Sequence, residues 1–342
     1  YCDLSRLFFV IWTTTPWTIP GNMAICVNAE FEYVLLQVPG GEVYVLAKDL
    51  AQAVCKAGRI DFDACKVLAT LKGGEFELMT ARHPLFDRES VLLCGEHVTL
   101  DAGTGCVHTA PGFGADDFHI CRQYDQAGLT HIGTPVPVNA RGVMTDERYN
   151  GQFYAKGNDM VVADLEREGF LLAKENITHS YPHCWRCKHP IIYRATEQWF
   201  CSVDAIKDAA VKSCDGIQWK PEWGKDRMTS MISERNDWCI SRQRVWGVPI
   251  PIFYCEDCGA DIVTPETIAH VAALFREHGS NVWFDREAAE LLPQGFVCPK
   301  CGKAHFTKET DIMDVWFDSG STWAAVAAER PYLKYPADLY LE

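Results

Sequence analysis

Residues 103–118 read GTGCVHTAPGFGADDF, and the residue types change along this stretch from those of a turn to those of a strand, a loop and a helix. The two leading glycines favour a tight turn, and the Val-His-Thr run favours a short strand. Pro111 and two further glycines indicate a loop, after which helical periodicity continues over residues 115–128. The stretch therefore predicts a strand that leads through a glycine-rich loop into a helix.

Two polar side chains hold defined places in this arrangement. His108 lies on the predicted strand, and Asp117 lies in the first turn of the predicted helix. At that end of a helix the dipole and the free N–H groups favour an ionised carboxylate, which is suited to hold a substrate ammonium. A packed strand histidine and a helix-capping acid are the structural alternatives, and they stay open while each residue is judged singly.

A second unusual stretch, WTTTPWTIPGN, occupies residues 12–22 and follows an apolar run. Pro16 lacks a hydrogen-bond donor and restricts the backbone, so the preceding strand is expected to end there. A loop restrained in this way can hold the hydroxyls of Thr13, Thr14 and Thr15 at fixed positions. Threonine is also common in strands and turns, so this stretch alone does not separate a site from ordinary β-structure.

The remaining residues up to about 180 favour strands over helices, which predicts a β-rich, barrel-like or sandwich-like domain. Strands are predicted over residues 7–12, 22–27, 31–38, 42–47, 66–71, 90–95 and 104–110, with a short helix over 48–58. Helical periodicity dominates afterwards. Helices are predicted over 202–213, 224–237 and 264–278, and strand-like segments over 247–254 and 313–320. A domain boundary is expected between residues 155 and 200.

Composition limits the class of protein. The 342 residues exceed one typical core, so two or more domains are expected, and 48% apolar with 23% charged residues suits a globular protein. No apolar run approaches about 18 residues and no leader is visible, so we expect a cytoplasmic protein without a membrane span. A net charge of −14 disfavours indiscriminate binding to nucleic acid. Residues 219–246 nevertheless carry six basic and four acidic side chains, which suits either a local basic contact or a solvated helix face.

Sixteen cysteines without a secretory signal argue against a disulfide scaffold. Two Cys-x-x-Cys pairs are each followed by glycine, as a metal-binding knuckle requires, and four thiolates suit a tetrahedral zinc ion. The zinc ligands predicted on this basis are Cys255, Cys258, Cys298 and Cys301. The 39 residues between the two pairs predict an inserted helix. Redox chemistry is the alternative for a single pair.

A third pair, Cys184 and Cys187, has no further Cys-x-x-Cys partner in the sequence. Either His183 or His189 completes a metal site with this pair, or the missing ligands lie outside these 342 residues. We favour the second alternative, because the sequence begins without Met, runs from Tyr1 directly into a predicted strand and is expected to be part of a longer protein.

WTTTPWTIPGN together with GTGCVHTAPGFGADD resembles the editing insertion of the isoleucyl-tRNA synthetases, a family of class I aminoacyl-tRNA synthetases. The resemblance continues through SYPHCWRCKHPIIYRATEQWF (180–200), RNDWCISRQRVWGVPIPIF (235–253) and MDVWFDSGSTW (313–323), and so covers essentially the whole chain. The valyl and leucyl enzymes share the architecture but typically carry TTRP in place of TTTPWT, and no histidine in the GTG strand. These differences make the resemblance specific to the isoleucyl enzymes.

The resemblance implies an α/β protein in which a β-rich, barrel-like editing domain is inserted into a Rossmann-type catalytic domain that is only partly present, with zinc knuckles. It implies an editing domain over residues 1–180 and a return segment with part of the catalytic domain over 181–254. A zinc-knuckle insertion over 255–305 and a truncated catalytic domain over 306–342 would follow.

The resemblance also implies that the threonine loop and the GTG stretch form opposite walls of a hydrolytic pocket. Thr13, Thr14 and Thr15 would hold the ester carbonyl and the attacking water of a misacylated tRNA. Asn22 matches an asparagine implicated in editing.

Two residues of the opposite wall receive roles from the same resemblance. Asp117 would bind the α-ammonium group of the wrong amino acid, and His108 would admit valine but exclude isoleucine. The family loop often reads GHG, whereas this chain has Phe113, so it has no histidine at that position to contribute to hydrolysis.

Such a pocket answers a physical need. Valine lacks one methylene group of isoleucine, a difference known to be worth only about 1–3 kcal/mol in the binding site of this enzyme family. A second, smaller site that hydrolyses the wrong product then restores accuracy. The implied reaction is attack of water on an aminoacyl ester, driven by positioning and carbonyl polarisation and not by a nucleophilic side chain.

The family joins isoleucine to AMP and then to tRNA. The implied partners are therefore tRNA(Ile), isoleucine, valine and ATP with Mg²⁺, in a monomer that binds Zn²⁺ and no membrane. Trp316 matches a tryptophan that lines the isoleucine pocket, and Glu342 matches a glutamate that contacts the aminoacyl-adenylate. The HIGH and KMSKS motifs do not occur in the sequence, so this chain alone is not expected to activate isoleucine.

Two other functions are considered. A free-standing deacylase that edits in trans predicts a natural start near Tyr1, which the absence of Met disfavours. A zinc-ribbon module that binds tRNA without catalysis leaves the threonine, histidine and aspartate residues without a purpose.

Overall fold

The computed structural model describes residues 3–178, 180–235 and 237–339, and they form two compact units. The first unit extends to Thr196 and the second begins at Glu197, inside the interval in which the sequence predicts a boundary. The finer division into four segments stays a prediction. Within the described residues, no helix is both long enough and apolar enough to span a membrane.

The first unit is mixed α/β. Its strands are β1 (Leu7–Phe9), β2 (Ala24–Val27), β3 (Glu32–Gln37), β4 (Val43–Ala47), β5 (Lys66–Lys72), β6 (Thr80–Arg82), β7 (Glu89–Cys94) and β8 (Val107–Thr109). Its α-helices are α1 (Ala51–Ala57), α2 (Ala115–Gln126) and α3 (Tyr154–Arg167). Short 3-10 helices lie at Leu4–Arg6, Pro16–Gly21, Lys48–Leu50, Phe62–Ala64 and Gly73–Phe76.

These strands form two four-stranded sheets, with the orders β1-β4-β3-β5 and β6-β7-β2-β8. The pairs β1–β4 and β2–β7 are parallel, and the others are antiparallel. Side chains of both sheets meet in one buried cluster that includes Ile25, Tyr33, Val45 and Leu92. The sheets therefore face each other across a shared core. Hydrogen bonding within the described residues does not close them into the predicted barrel.

The longer strands predicted from composition are confirmed, and the segments beside the threonine loop are shorter than predicted. β1 ends at Phe9, and Trp12 makes only an isolated bridge to Val107. The chain then forms the 3-10 helix Pro16–Gly21, because Pro16 and Pro20 have no N–H to offer to a sheet. The helix predicted over 48–58 begins as a 3-10 turn and becomes α1 at Ala51.

The second unit consists of short strands and helices. Its strands are β9 (Phe200–Cys201), β10 (Trp238–Cys239), β11 (Ser241–Arg242), β12 (Phe253–Cys255), β13 (Asp261–Ile262), β14 (Phe306–Lys308) and β15 (Ile312–Met313). Its α-helices are α4 (Asp204–Ser213), α5 (Gly224–Ser233), α6 (Pro265–His278), α7 (Val282–Asp285), α8 (Ala288–Leu291) and α9 (Val315–Gly320), followed by a π-helical turn at Trp323–Ala327.

All strand pairs described in this unit are antiparallel. β9 pairs with β10 and β11 with β15, while β13, β12 and β14 form a three-stranded sheet. Phe253 of that sheet packs on Trp283 and Leu291 in a separate buried core. A parallel Rossmann-type sheet is not among the elements described here, so that part of the predicted architecture stays a prediction.

The helices predicted in the second unit are confirmed, with α6 starting at a Thr264 cap followed by Pro265. The strand predicted over 313–320 is wrong, because the chain enters α9 at Val315. The Asp314 carboxylate caps this helix by accepting the Trp316 N–H at 3.2 Å. The strand predicted over 247–254 is confined to its end, since Pro249 and Pro251 cannot donate to a ladder.

Candidate active site

A cavity of about 330 Å³ opens in the first unit, and we call it the threonine pocket. Thr13, Thr14 and Thr15 line it from the threonine loop, which forms one wall, and His108 and Asp117 line it from the segment of β8 and α2, which forms another. β8 runs antiparallel to β2, with His108 opposite Ile25, and this pairing brings the GTG stretch against the end of the threonine loop. Residues about ninety positions apart in sequence therefore meet at one cavity.

Hydrogen bonds to backbone groups restrain the threonine loop. Thr13 Oγ1 accepts the Thr15 N–H at 3.1 Å, which fixes the turn before the 3-10 helix. The His83 ring donates from Nε2 to the Ile19 carbonyl at 3.0 Å, and the Arg88 guanidinium donates to the Pro20 carbonyl. Thr14 is exposed, and its hydroxyl has no hydrogen-bond partner within the described part of the chain. The loop thus presents hydroxyls from a fixed backbone.

His108 is a buried residue with both ring nitrogens bonded. Asn22 Nδ2 lies 2.7 Å from His108 Nδ1 and also donates to the Ala24 carbonyl at 3.0 Å, so the amide nitrogen faces the ring. His108 Nδ1 is then an acceptor, and the proton sits on Nε2, 2.9 Å from Thr18 Oγ1. Thr18 in turn donates to the Thr15 carbonyl at 2.8 Å. This chain of bonds connects the two walls of the threonine pocket.

The protonation state of His108 follows from its surroundings. Burial lowers the pKa of His108 to about 3, and the nearby His83 and Arg88 act in the same direction. The ring is therefore neutral under ordinary conditions. A neutral ring held by two hydrogen bonds acts as a rigid wall, and its bonded nitrogens are not available as a general base.

Asn22 and Thr18 differ in what they can touch. Asn22 is only 4% exposed and does not line the threonine pocket. It can affect a bound molecule only indirectly, through its hydrogen bond to His108. Its Oδ1 accepts the Ser90 hydroxyl at 2.5 Å, which fixes the amide. Thr18 does line the pocket, although it is not among the predicted site residues. The signal that would have found it is its place as the fourth threonine of the loop.

Asp117 lies in the first turn of α2, as predicted. Its Oδ2 accepts the Ala110 N–H at 2.9 Å, and a Cβ on Gly114 would come within 2.9 Å of the same carboxylate, so glycine gives it room. Burial raises the pKa of Asp117, while the Ala110 N–H lowers it. The carboxylate is therefore less readily ionised than the sequence predicts. A bound cation would compensate for the burial.

Phe113, at the position where the resembling family often has histidine, is a core residue that also borders the pocket. It is 9% exposed and meets Trp17 edge to face, with ring centroids 5.0 Å apart. Its contribution is the shape of the cavity floor and the packing of the threonine loop.

The four cysteines predicted to bind zinc converge in the second unit. Their sulfur atoms all lie within 4.8 Å of one another. The Cys255–Cys301 and Cys258–Cys298 sulfur separations are 3.5 and 3.7 Å. A tetrahedral zinc ion with Zn–S bonds of about 2.3 Å requires separations of about 3.8 Å. The donor set and its spacing fit this metal.

The pair Cys184 and Cys187 forms the same turn as the two knuckles of that cluster. The Cys184 N–H donates to the His189 carbonyl, and the Lys188 N–H donates to the Cys184 carbonyl, both at 2.8 Å. Lys188 has φ 62°, the left-handed conformation that Gly259 and Gly302 adopt in the other knuckles. Among the described residues, no third metal-ligating side chain joins this pair. The knuckle is formed locally, and its completion stays a prediction.

The structure describes one of the two residues predicted for a synthetic site. Trp316 lies on α9 with 60% of its surface exposed and does not line the threonine pocket. Glu342 lies outside the described residues.

Comparison with known proteins agrees with these features. The family of class I tRNA synthetases (I, L, M and V) matches residues 14–342. The isoleucine–tRNA ligase of Caldanaerobacter subterraneus subsp. tengcongensis is 54% identical over 99% of this chain and 36% of its own length. That of Moorella thermoacetica is 54% identical over 97% of this chain and 35% of its own length. The chain thus spans about a third of these curated relatives.

One solved structure with a partial likeness is the editing domain of the P. knowlesi cytosolic leucyl-tRNA synthetase. It superimposes with a TM-score of 0.40 and 12% sequence identity, covering 48% of this chain and 84% of that domain. So partial a superposition does not establish a common fold, and the family assignment rests on the sequence match.

Proposed function

The chain belongs to the class I tRNA synthetases of the isoleucine, leucine, methionine and valine group, and on that premise we propose that its threonine pocket hydrolyses mischarged Val-tRNA(Ile). The observation that carries this proposal is the single cavity lined by Thr13, Thr14 and Thr15 together with His108 and Asp117. The resemblance assigns these five residues to editing together with Asn22, which does not line the cavity but bonds to His108. Tertiary structure has gathered them from two distant segments.

The proposed reaction needs positioning more than covalent chemistry. Asp117 binds the α-ammonium group, and the threonine hydroxyls hold the ester carbonyl and a water molecule. The water oxygen attacks the carbonyl carbon, the ester C–O bond breaks, and the ribose hydroxyl leaves with a proton that originates from the water. The products are free valine and uncharged tRNA. No side chain forms a covalent bond to the substrate.

Selection by size follows from the rigidity of His108. Because Asn22 and Thr18 hold both ring nitrogens, this wall does not move aside for a larger side chain. One extra methylene must then be accommodated at a steric cost, and isoleucine is excluded where valine enters. The threonine pocket is thereby the smaller of two binding sites, since it accepts valine and excludes isoleucine.

We further propose that the whole protein is an isoleucine–tRNA ligase, as its 54% identity to such ligases supports. It would activate isoleucine with ATP and Mg²⁺ and charge tRNA(Ile), with Trp316 at the isoleucine side chain and Glu342 at the adenylate. The four clustered cysteines would hold one structural Zn²⁺. This chain alone is expected to lack ATP–pyrophosphate exchange.

The test is hydrolysis of Val-tRNA(Ile) and Ile-tRNA(Ile) by this chain. The wild type is expected to hydrolyse the valyl ester, and Asp117→Ala is expected to lower its kcat/KM by about tenfold to hundredfold, the worth of a hydrogen bond to a charged group. His108→Ala is expected to let the isoleucyl ester be hydrolysed as well. Asp116→Ala, an exposed neighbour on α2 that does not line the pocket, is the matched control.

If the wild type and Asp117→Ala both leave Val-tRNA(Ile) intact, the deacylase function is refuted. A binding module without catalysis would then be the better account, and zinc-dependent tRNA binding without hydrolysis would support it.

A further inference from the structure

A histidine of the threonine pocket has no part in the network described above. His97 lines the cavity from the loop between β7 and β8. Its Nε2 is buried and has no hydrogen-bond partner among the described residues. Leaving a buried polar atom unpaired is unfavourable, so an unsatisfied nitrogen on a side chain that lines a cavity points to a ligand that supplies the partner.

The surroundings of His97 identify the kind of ligand. Asp117 and His97 both line the threonine pocket, so the imidazole and the carboxylate face the same cavity. Burial raises the pKa of Asp117, and the nearby His97 ring acts against this shift. Asp117 Oδ2 is already occupied by the Ala110 N–H, which leaves its other oxygen for a ligand. An ammonium group carries three N–H donors, more than that one oxygen accepts.

The backbone at Gly95, beneath the His97 ring, is held by a hydrogen bond to a strand. A Cβ on Gly95 would lie 2.5 Å from His97 Cε1 and 2.7 Å from Nδ1, so the ring lies directly over this glycine. The Gly95 N–H donates to the Val27 carbonyl at 2.9 Å, which attaches the loop to β2. The ring is therefore seated on the sheet that also positions His108.

We propose that His97 is a second acceptor, beside Asp117, for the α-ammonium group of the bound aminoacyl ester. The imidazole accepts one ammonium N–H through Nε2, and the Asp117 carboxylate accepts another. The assignment rests on the proposed deacylase function and adds a substrate-binding residue to it. It also leaves the threonine hydroxyls free for the carbonyl and the water.

The experiment compares two esters of tRNA(Ile) with the full 342-residue chain: the valyl ester and its α-hydroxy analogue, 2-hydroxyisovaleryl-tRNA, which has no ammonium group. His97→Ala is expected to lower kcat/KM for the valyl ester by about tenfold to hundredfold and to change that for the analogue at most a few-fold. His97→Gln, whose amide oxygen can accept, is expected to recover part of the loss. His119→Ala is the matched control, since this exposed histidine on α2 does not line the pocket.

Equal losses on both esters would overturn the proposal, because they would mark a purely structural role. Unchanged hydrolysis by His97→Ala, with its fold verified by circular dichroism, would overturn it as well. Failure of the wild type to hydrolyse Val-tRNA(Ile) is a distinct result, which would refute the deacylase function and this assignment with it.

Discussion

At the scale of single residues, the hydrogen bonding in the threonine pocket depends on which ring nitrogen of His108 carries the proton. The Asn22 amide nitrogen faces His108 Nδ1, which leaves Nε2 to carry the proton toward Thr18. Burial lowers the pKa of His108 to about 3, so the ring stays neutral. A residue outside the cavity thereby controls the donor and acceptor pattern of His108, which we propose to border the substrate side chain.

Replacing Asn22 by Asp tests this control. A carboxylate can only accept, so His108 would have to donate from Nδ1, and its pKa would rise because of the adjacent negative charge. We expect the imidazole nitrogen NMR signals to change from the Nε2–H form, with lower discrimination against Ile-tRNA(Ile). Ser90→Ala, which removes only the outer bond to Asn22, should keep the wild-type tautomer. An unchanged tautomer in Asn22→Asp would contradict the assigned network.

The pH dependence of hydrolysis reports on Asp117. Burial raises its pKa above the ordinary 3.8, and Asp117 can form an ion pair with an ammonium group only in its ionised form. Hydrolysis should therefore decline as the pH falls through this raised pKa. Because the pKa of Asp117 is raised in the folded state, its ionisation lowers the free energy of unfolding at higher pH. Asp117→Asn should therefore raise Tm at neutral pH. The same variant should abolish the acidic limb of the pH–rate profile. A lower Tm in Asp117→Asn would show that the carboxylate is stabilising in the fold.

At the scale of elements, turns that contain a residue with left-handed backbone conformation form the cysteine knuckles of the second unit and of the segment before it. Three Cys-x-x-Cys pairs adopt the same knuckle, two with glycine in the left-handed position and one with Lys188. The start of α9 has a different cause. Asp314 is buried, caps the helix and pairs with Arg242 at 2.6 Å, and these contacts override the strand preference of the residues that follow.

Metal content and stability test the cysteine cluster. The wild type should contain about one zinc ion if Cys184 and Cys187 lack ligands, and about two if they find them. Cys258→Ser should lose the ion of the cluster and lower the Tm of the second unit, because metal binding to four thiolates stabilises the folded form. Cys201→Ser, outside the cluster, is the control and should retain zinc. Retention of a full equivalent by Cys258→Ser would argue against this ligand set.

At the scale of the whole molecule, the chain is divided into units with separate hydrophobic cores. The cluster around Ile25, Tyr33 and Leu92 belongs to the first unit, and the cluster around Phe253 and Trp283 belongs to the second. The residues that line the threonine pocket all precede Thr196. The threonine pocket, where we propose hydrolysis, and the four-cysteine cluster thus belong to different units.

A chain that ends at Thr196 should therefore fold and retain the pocket. We expect it to hydrolyse a valyl ester of a short acceptor-stem RNA with a kcat comparable to that of the full chain, and to contain no zinc from the four-cysteine cluster. Circular dichroism and the hydrolysis assay check this, with Asp117→Ala in the short chain as the inactive control. An unfolded short chain would show that the first core depends on the second unit.

Local patterns in the sequence determined the knuckle turns, the periodic helices and the motifs that mark the synthetase family, because these depend on backbone preferences and residue spacing within short segments. Tertiary structure alone decided that the threonine loop meets His108 and Asp117, that Thr18 and His97 join them, and that residues 315–320 form a helix. It also decided which His108 nitrogen carries the proton and in which direction burial shifts the pKa of Asp117. The physical reason is that contact between distant segments, burial and hydrogen-bond partners arise only when strands such as β2 and β8 pair and the sheets pack.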